Sequence, residues 1–219
     1  MTAGRVIAID GAAGSGKSTL ARSLARVVHL PYVNTGLMYR ALTASAIQHG
    51  VSEDDVEGLL DLTRGLRFTL GGSDPHELKV EGFDDRALTT PDVERSVSAI
   101  SRHPRIRAWM HEVQRALGAD GAVMEGRDIG SVVFPDAVVK LYLKAAKDAR
   151  IARRVLERPR AGPDEIASVL EARDELDART NPPLPPRGAI VIDTGALDAD
   201  SALREAIALI REHAPELVR

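Results

Sequence analysis

Lys17 and Ser18 close the run GAAGSGKS at residues 11–18, which fits the spacing G-x-x-x-x-G-K-[ST]. That order of residue types is what a polyphosphate requires. Glycines let successive backbone N–H groups curl around phosphate oxygens without Cβ clashes. Gly11, Ala12, Ala13, Gly14, Ser15, Gly16 and Thr19 would line the phosphates. Lys17 would pair with the β and γ groups, and the Ser18 hydroxyl would ligate Mg²⁺. The chain has only five lysines, and none but Lys17 precedes Lys79. These features predict a site for a nucleoside triphosphate.

A second constellation lies at residues 123–134, VMEGRDIGSVVF, where Glu125, Arg127 and Asp128 stand between two apolar flanks. Charges in such a setting are expensive unless they have partners. Arginines recur near expected strand ends as well: Arg40, Arg107, Arg127, Arg150, Arg153, Arg154, Arg173 and Arg179. This suits transfer of a phosphoryl group to a small phosphorylated acceptor. Such an acceptor is already mostly ionised at neutral pH, its second pKa being about 6, so no general base is required. The obstacle is repulsion between two anions, which planar arginine forks neutralise. A GTPase switch would need D-x-x-G after a strand and an N-K-x-D reader, and a transporter ATPase would carry L-S-G-G-Q; neither set is present. A kinase for UMP or for a metabolite such as shikimate stays open on these residues, as does a nucleotide-dependent regulator.

Taken singly, several of these groups have plainer readings. Asp128 would be a turn or helix cap, Ser98 a solvated helical serine and Tyr39 a core residue. His29, His49, His76, His103, His111 and His213 show no ligand spacing and read as structural or surface groups.

The positioning elements follow from the apolar pattern. VIAID, at residues 6–10, is a β-branched run ahead of the glycine loop, and a helix pattern follows from Lys17 to about Val28. Strand, loop and helix open a parallel α/β layer, with the helix turning its positive end to the anion. PYVNTG reads as a second strand and turn, then LMYRALTASAIQHG as a helix closed by Gly50. LRFTL and ELKVEG, joined by GGSDPH, read as an antiparallel hairpin, and the helical stretch after it breaks at Pro104. AVME, AVVKLYL and AIVIDT are continuous apolar runs that suit strands covered on both faces. Residues 150–179 read as a pair of helices with a joint at RPRAGP, and NPPLPP as a rigid loop.

Composition narrows the partners. The 219 residues are 44% hydrophobic, enough for a sizeable core, with 3% aromatic residues and a net charge of −3. Few stacking rings and a slightly acidic balance argue against a nucleic-acid surface. There are no cysteines, so thiolate metal sites and disulfides are excluded. No run reaches membrane-spanning length and no signal-peptide pattern opens the chain, so a cytoplasmic protein without a membrane partner is expected. A monomer is the default expectation.

Five patterns in chain order resemble the bacterial cytidylate kinases, within the nucleoside monophosphate kinases, over essentially the whole chain. They are IDGAAGSGKST, NTGLMYRA, VERSVSAISRHPRIR, EGRDIGSVVFPDA and RDELDAR…PPL. The resemblance implies an α/β P-loop kinase core, residues 1–63 and 97–219, with about five parallel strands flanked by helices. It further implies a helical lid around 148–180 and an inserted monophosphate-side subdomain at 64–96 with short antiparallel strands. Its activity would be ATP-dependent phosphorylation of CMP, and of dCMP, by direct in-line transfer with Mg²⁺.

The resemblance also implies roles. Ser98, Arg107 and Asp128 would read the cytosine edge. Arg40 and Arg127 would clamp the monophosphate, with Thr35 and Tyr39 shaping that pocket. Arg173 and Asp177 would hold the ribose. Arg179 would reach the phosphates as the lid closes. Arg150, Arg153 and Arg154 lie in the lid-like helix, where one or more would contact ATP phosphates, with Arg153 counted among the catalytic group beside Lys17. Glu125 would act on Mg²⁺ through water. The family usually puts two residues between its closing aspartate and arginine, whereas only Ala178 separates Asp177 from Arg179.

Overall fold

A computed structural model describes residues 5–157, 162–181 and 183–218. The centre of the molecule is β1 (Val6–Gly11), buried along its whole length. Its side chains alternate between two faces, as strand geometry requires. Val6 and Ala8 join one apolar cluster, and Ile7 and Ile9 join another on the opposite face. Helices must therefore cover both sides. α1 (Lys17–Val27) buries Leu20, Ala21, Leu24 and Ala25 in the second cluster. α2 (Thr35–His49) buries Met38, Ala41 and Leu42 in the first, and ends at Gly50 in the left-handed conformation.

α3 (Val56–Thr63) was not evident in the sequence pattern. Its first turn is capped by Asp55, whose carboxylate accepts from Gly58 N at 3.0 Å. The hairpin follows as β3 (Phe68–Gly71) and β4 (Glu77–Val80). α4 (Pro91–Ser101) and α5 (Pro104–Leu117) divide where expected. Proline forces the residue before it out of the helical region, and His103 is extended at ψ 120°, while Pro104 itself suits a first helical turn.

β5 (Ala122–Gly126), β6 (Val139–Lys144) and β7 (Ile190–Asp193) complete the sheet. Between the last two lie α6 (Lys147–Glu157) and α7 (Pro163–Thr180); residues 158–161 of the expected joint and Pro182 of the proline-rich loop lie outside the described residues. α8 (Ala199–His213) closes the second face with Ala206 and Ile210.

The strand order is β3-β4-β2-β5-β1-β6-β7, and every neighbouring pair is parallel except β3 with β4. The hairpin is thus hydrogen-bonded onto the main sheet. β4 docks on the open edge of β2, with Tyr32 opposite Glu77, which raises the parallel set from about five strands to six. An unpaired edge presents free N–H and C=O groups, and β4 satisfies them. Leu78 and Val80 share the first apolar cluster with Val6 and Met124. Binding residues then gather at the carboxyl ends of β1, β2 and β5, where α/β sheets hold ligands.

Candidate active site

Gly16 stands at φ 89° immediately before α1, a left-handed position that suits glycine. Gly11 is held for space as well: a Cβ there would lie 2.4 Å from the Leu143 carbonyl oxygen. The loop is braced from outside, since Thr194 Oγ1 donates to Ser15 O at 2.8 Å. Lys17 Nζ donates to Ala12 O at 2.7 Å within its own loop. Burial, with the nearby Arg127 charge adding to it, holds the Lys17 ammonium well below the usual lysine range. An anion would restore the favourable balance.

Glu125 lies at the end of β5, buried, and its backbone carbonyl accepts from Thr35 Oγ1 at 2.7 Å. The Tyr32 hydroxyl donates to Glu125 Oε1, and Ser18 is a further hydrogen-bonding neighbour of that hydroxyl. Burial first, and then the Glu125 charge, keep this phenol protonated. Tyr32 therefore links the loop hydroxyl to the strand-end carboxylate. Sequence reasoning had passed over it as an ordinary strand residue.

After β5 the chain enters a five-residue π-helical turn, Ile129–Val133. Asp10, at the end of β1, accepts from Ile129 N at 2.9 Å and from Gly130 N at 2.8 Å. Burial pushes the Asp10 carboxyl upward, against these two amide hydrogen bonds. This pair of bonds fixes the E-G-R-D run on the loop's own strand, so Arg127 and Asp128 project over the cavity.

Asp128 Oδ2 accepts from Arg107 Nη2 and, at 2.9 Å, from His111 Nε2. Burial alone would raise this carboxyl, but the His111 hydrogen bond and the Arg107 charge outweigh it and hold it below the usual range. Arg107 Nη2 also donates to Asn181 Oδ1 at 2.8 Å. Arg127 Nε donates to Asp177 Oδ2 at 3.0 Å, while Ser98 Oγ donates to Asp177 Oδ1 at 3.1 Å. Arg40 donates to Glu94 Oε1 at 2.6 Å and to Leu88 O at 3.0 Å. Arg173 lies 3.9 Å from Glu94 Oε2. Burial, then the neighbouring Arg127 and Arg40 charges, bring its guanidinium down to about 10.

These groups surround one cavity of about 630 Å³. Ala13, Gly14, Gly16, Lys17, Ser18 and Thr19 form one end, together with Arg153. Thr35, Tyr39, Arg40, Ser98, Arg107 and Asp128 form the other, and Glu125, Arg127, Arg173 and Asp177 border it too. Gly11, Ala12 and Ser15 belong to the loop without lining this space. Of the described residues bordering the cavity, Tyr39 Oη and Arg173 Nε are buried without a hydrogen-bond partner. Such atoms are rare in folded proteins and are open to polar ligand atoms.

Two expected phosphate ligands lie elsewhere. Arg179 is exposed and does not line the cavity. Arg173 and Asp177 are four residues apart and share a helix face, whereas a two-residue step from Asp177 turns Arg179 by about 200°. Arg150 is a brace: it donates to Asp174 at 2.6 Å and to Ala13 O at 3.1 Å. Arg154 pairs with Glu157 at 2.6 Å at the cavity rim. Arg153 packs against the loop and donates to Thr194 O.

Residues 7–212 match the model of the family described as cytidylate kinase. The chain belongs to the cytidylate kinase family. A cytidylate kinase from Acidiphilium cryptum is 40% identical over 220 residues, covering 97% of this chain and 98% of that protein. One from Thermus thermophilus is 39% identical, covering 94% of this chain and 98% of its own. One from Desulfitobacterium hafniense is 37% identical, covering 94% and 92%. Among solved structures, a gluconokinase from Sinorhizobium meliloti aligns with a TM-score of 0.51 at 17% identity, over 97% of this chain and 95% of that one. That likeness concerns the α/β kinase fold alone. Within the cytidylate kinase family the reaction is phosphorylation of a nucleoside monophosphate, and this chain is such a kinase. No described helix is long and apolar enough to cross a membrane.

Proposed function

We propose that the protein transfers the γ-phosphoryl group of ATP to CMP and dCMP, directly and in line. The observation that carries this reading is the junction of two chemistries in one cavity. A phosphate loop with a buried lysine forms one end, and an arginine–carboxylate pair shaped for a base edge forms the other. An ionised Asp128 accepts from an exocyclic amine, and Arg107 donates to a ring acceptor, which together match cytosine (compare the base-edge inventory in). Arg40 and Arg127 meet the acceptor phosphate, and Arg173 with Asp177 the ribose. Ser98 buttresses Asp177 through its 3.1 Å hydrogen bond. Tyr39 offers its unpartnered hydroxyl to the same acceptor.

The acceptor phosphate needs no base, so these residues position and neutralise. Lys17 meets charge developing on the donor phosphates, and Arg153 lies at the same end of the cavity. Arg179 enters this scheme only through a movement of α7 that turns its face inward. The Ser18 hydroxyl, with Glu125 acting through water, would hold Mg²⁺. The donor set fits: a loop hydroxyl and a strand-end carboxylate, joined through the Tyr32 hydroxyl, offer hard oxygen ligands in small number. Magnesium takes few protein ligands and keeps water and phosphate oxygens for the rest. When bound it would supply positive charge that neutralises the donor phosphates.

The test is ADP release in a coupled assay with CMP, dCMP, UMP, AMP and GMP as acceptors. CMP and dCMP should give the highest kcat/KM. Best turnover on a purine monophosphate would overturn the cytidine assignment.

A further inference from the structure

His111 sits four residues after Arg107 on α5, so the two side chains share one face of the helix. Both reach the same atom, Asp128 Oδ2, Arg107 through Nη2 and His111 through Nε2 at 2.9 Å. The His111 side chain is 10% exposed and that of Asp128 11%, so water competes little for either. An ionised carboxylate only accepts hydrogen bonds. His111 must therefore carry its proton on Nε2, which fixes the imidazole in a donating role.

The surroundings of Asp128 make that second donor consequential. Asp10, at the end of β1, faces Asp128 as a like charge, and the Tyr39 phenol of α2 lies close enough to feel it. Arg107 is shared, since the same Nη2 also serves Asn181 beyond α7. One arginine nitrogen with two acceptors does not by itself hold a carboxylate in one orientation. His111 supplies the second point of attachment.

We propose that His111 is a positioning residue that sets acceptor specificity by pinning Asp128 Oδ2, so that Oδ1 is presented to the acceptor as an obligate hydrogen-bond acceptor. The inference rests on the proposed CMP reading. An acceptor-only oxygen welcomes the 4-amino group of cytosine and repels the 4-oxo group of uracil. Without His111 the carboxyl is free to rotate or to take a proton, and a protonated carboxyl donates to uracil as readily as it accepts from cytosine. The lowered pKa of Asp128 agrees with this role.

The experiment is steady-state kinetics of the wild type, His111→Leu and His111→Gln with CMP, UMP and ATP as varied substrates. Leucine keeps the packing volume, and glutamine restores an N–H donor. His111→Leu should raise KM for CMP about tenfold and narrow the CMP-to-UMP ratio of kcat/KM by a similar factor, with KM for ATP within about twofold. His111→Gln should recover most of the discrimination. Equal kinetics in the Leu and Gln variants, or parallel rises in KM for CMP and ATP, would overturn the proposal. A wild type that uses CMP and UMP equally overturns both readings. A CMP-selective wild type whose selectivity survives in His111→Leu overturns this one alone.

Discussion

Arg127 Nε donates to Asp177 Oδ2 at 3.0 Å, and this bond ties the turn after β5 to the last turn of α7. Asp177 stays ionised because the Arg127 and Arg173 charges offset the burial that would otherwise raise it. Asp177→Ala leaves Arg127 without this partner and Ser98 without its acceptor. We expect a loss of roughly 2 kcal/mol in unfolding free energy and a higher KM for CMP. Denaturant titration and initial-rate kinetics read the two effects, and an unchanged midpoint would remove Asp177 from the connection.

Lys17→Ala removes the buried loop cation that the proposed function sets against the donor phosphates. Turnover should drop by about 10²–10³-fold, in the range seen when a charge-stabilising donor is lost. The Ala12 carbonyl that Lys17 engages is only partly buried, so the fold should survive. Near-normal turnover with correctly folded protein would disprove the role.

Asp10→Ala strips two buried amides, Ile129 N and Gly130 N, of their acceptor. Unsatisfied buried groups cost about 1–3 kcal/mol each. The melting temperature should fall by several degrees, and catalysis should suffer through misplacement of Arg127 and Asp128. Calorimetry of Asp10→Ala beside Asp10→Asn, which keeps one acceptor oxygen, separates the hydrogen bonds from simple volume.

Acid should destabilise the protein in a window set by Asp128 and Asp177, both held below the usual carboxylate range. The unfolded chain binds these protons first, near pH 4, so the stability they contribute is complete above that value. It is lost as the pH falls through the lower, folded-state values. Stability measured from about pH 5 to pH 3 should decline less steeply in Asp177→Asn than in the wild type. Identical slopes would contradict the assignment.

Much of this site was visible in the linear chain because its chemistry is local. The GAAGSGKS loop, the strand before it and the helix after it are contiguous, and E-G-R-D is a single turn at a strand end. Long-range partners were not visible. Thr194 meets Ser15 across 179 residues, and Tyr32 reaches Glu125 across 93, so nothing in their neighbourhoods announced those pairings. His111 was within reach, because a four-residue step from Arg107 puts both on one helix face. Helical periodicity also accounts for the placement of Arg179: one residue fewer after Asp177 turns its side chain out of the cavity.

The arginines around the acceptor end do not wait as bare cations. Arg40 is held by Glu94, Arg107 by Asp128, Arg127 by Asp177, and Arg150 behind them by Asp174. Under the proposed function, substrate binding at this end would be an exchange of counterions, in which an arriving phosphate replaces or joins a resident carboxylate. Such a pocket would gain little from a stray inorganic anion, because internal carboxylates already pair with Arg40, Arg107 and Arg127. On the proposed reading a nucleotide would gain more, since its base and sugar would engage Asp128 and Arg173 in the same event, and only that combined contact would favour the exchange.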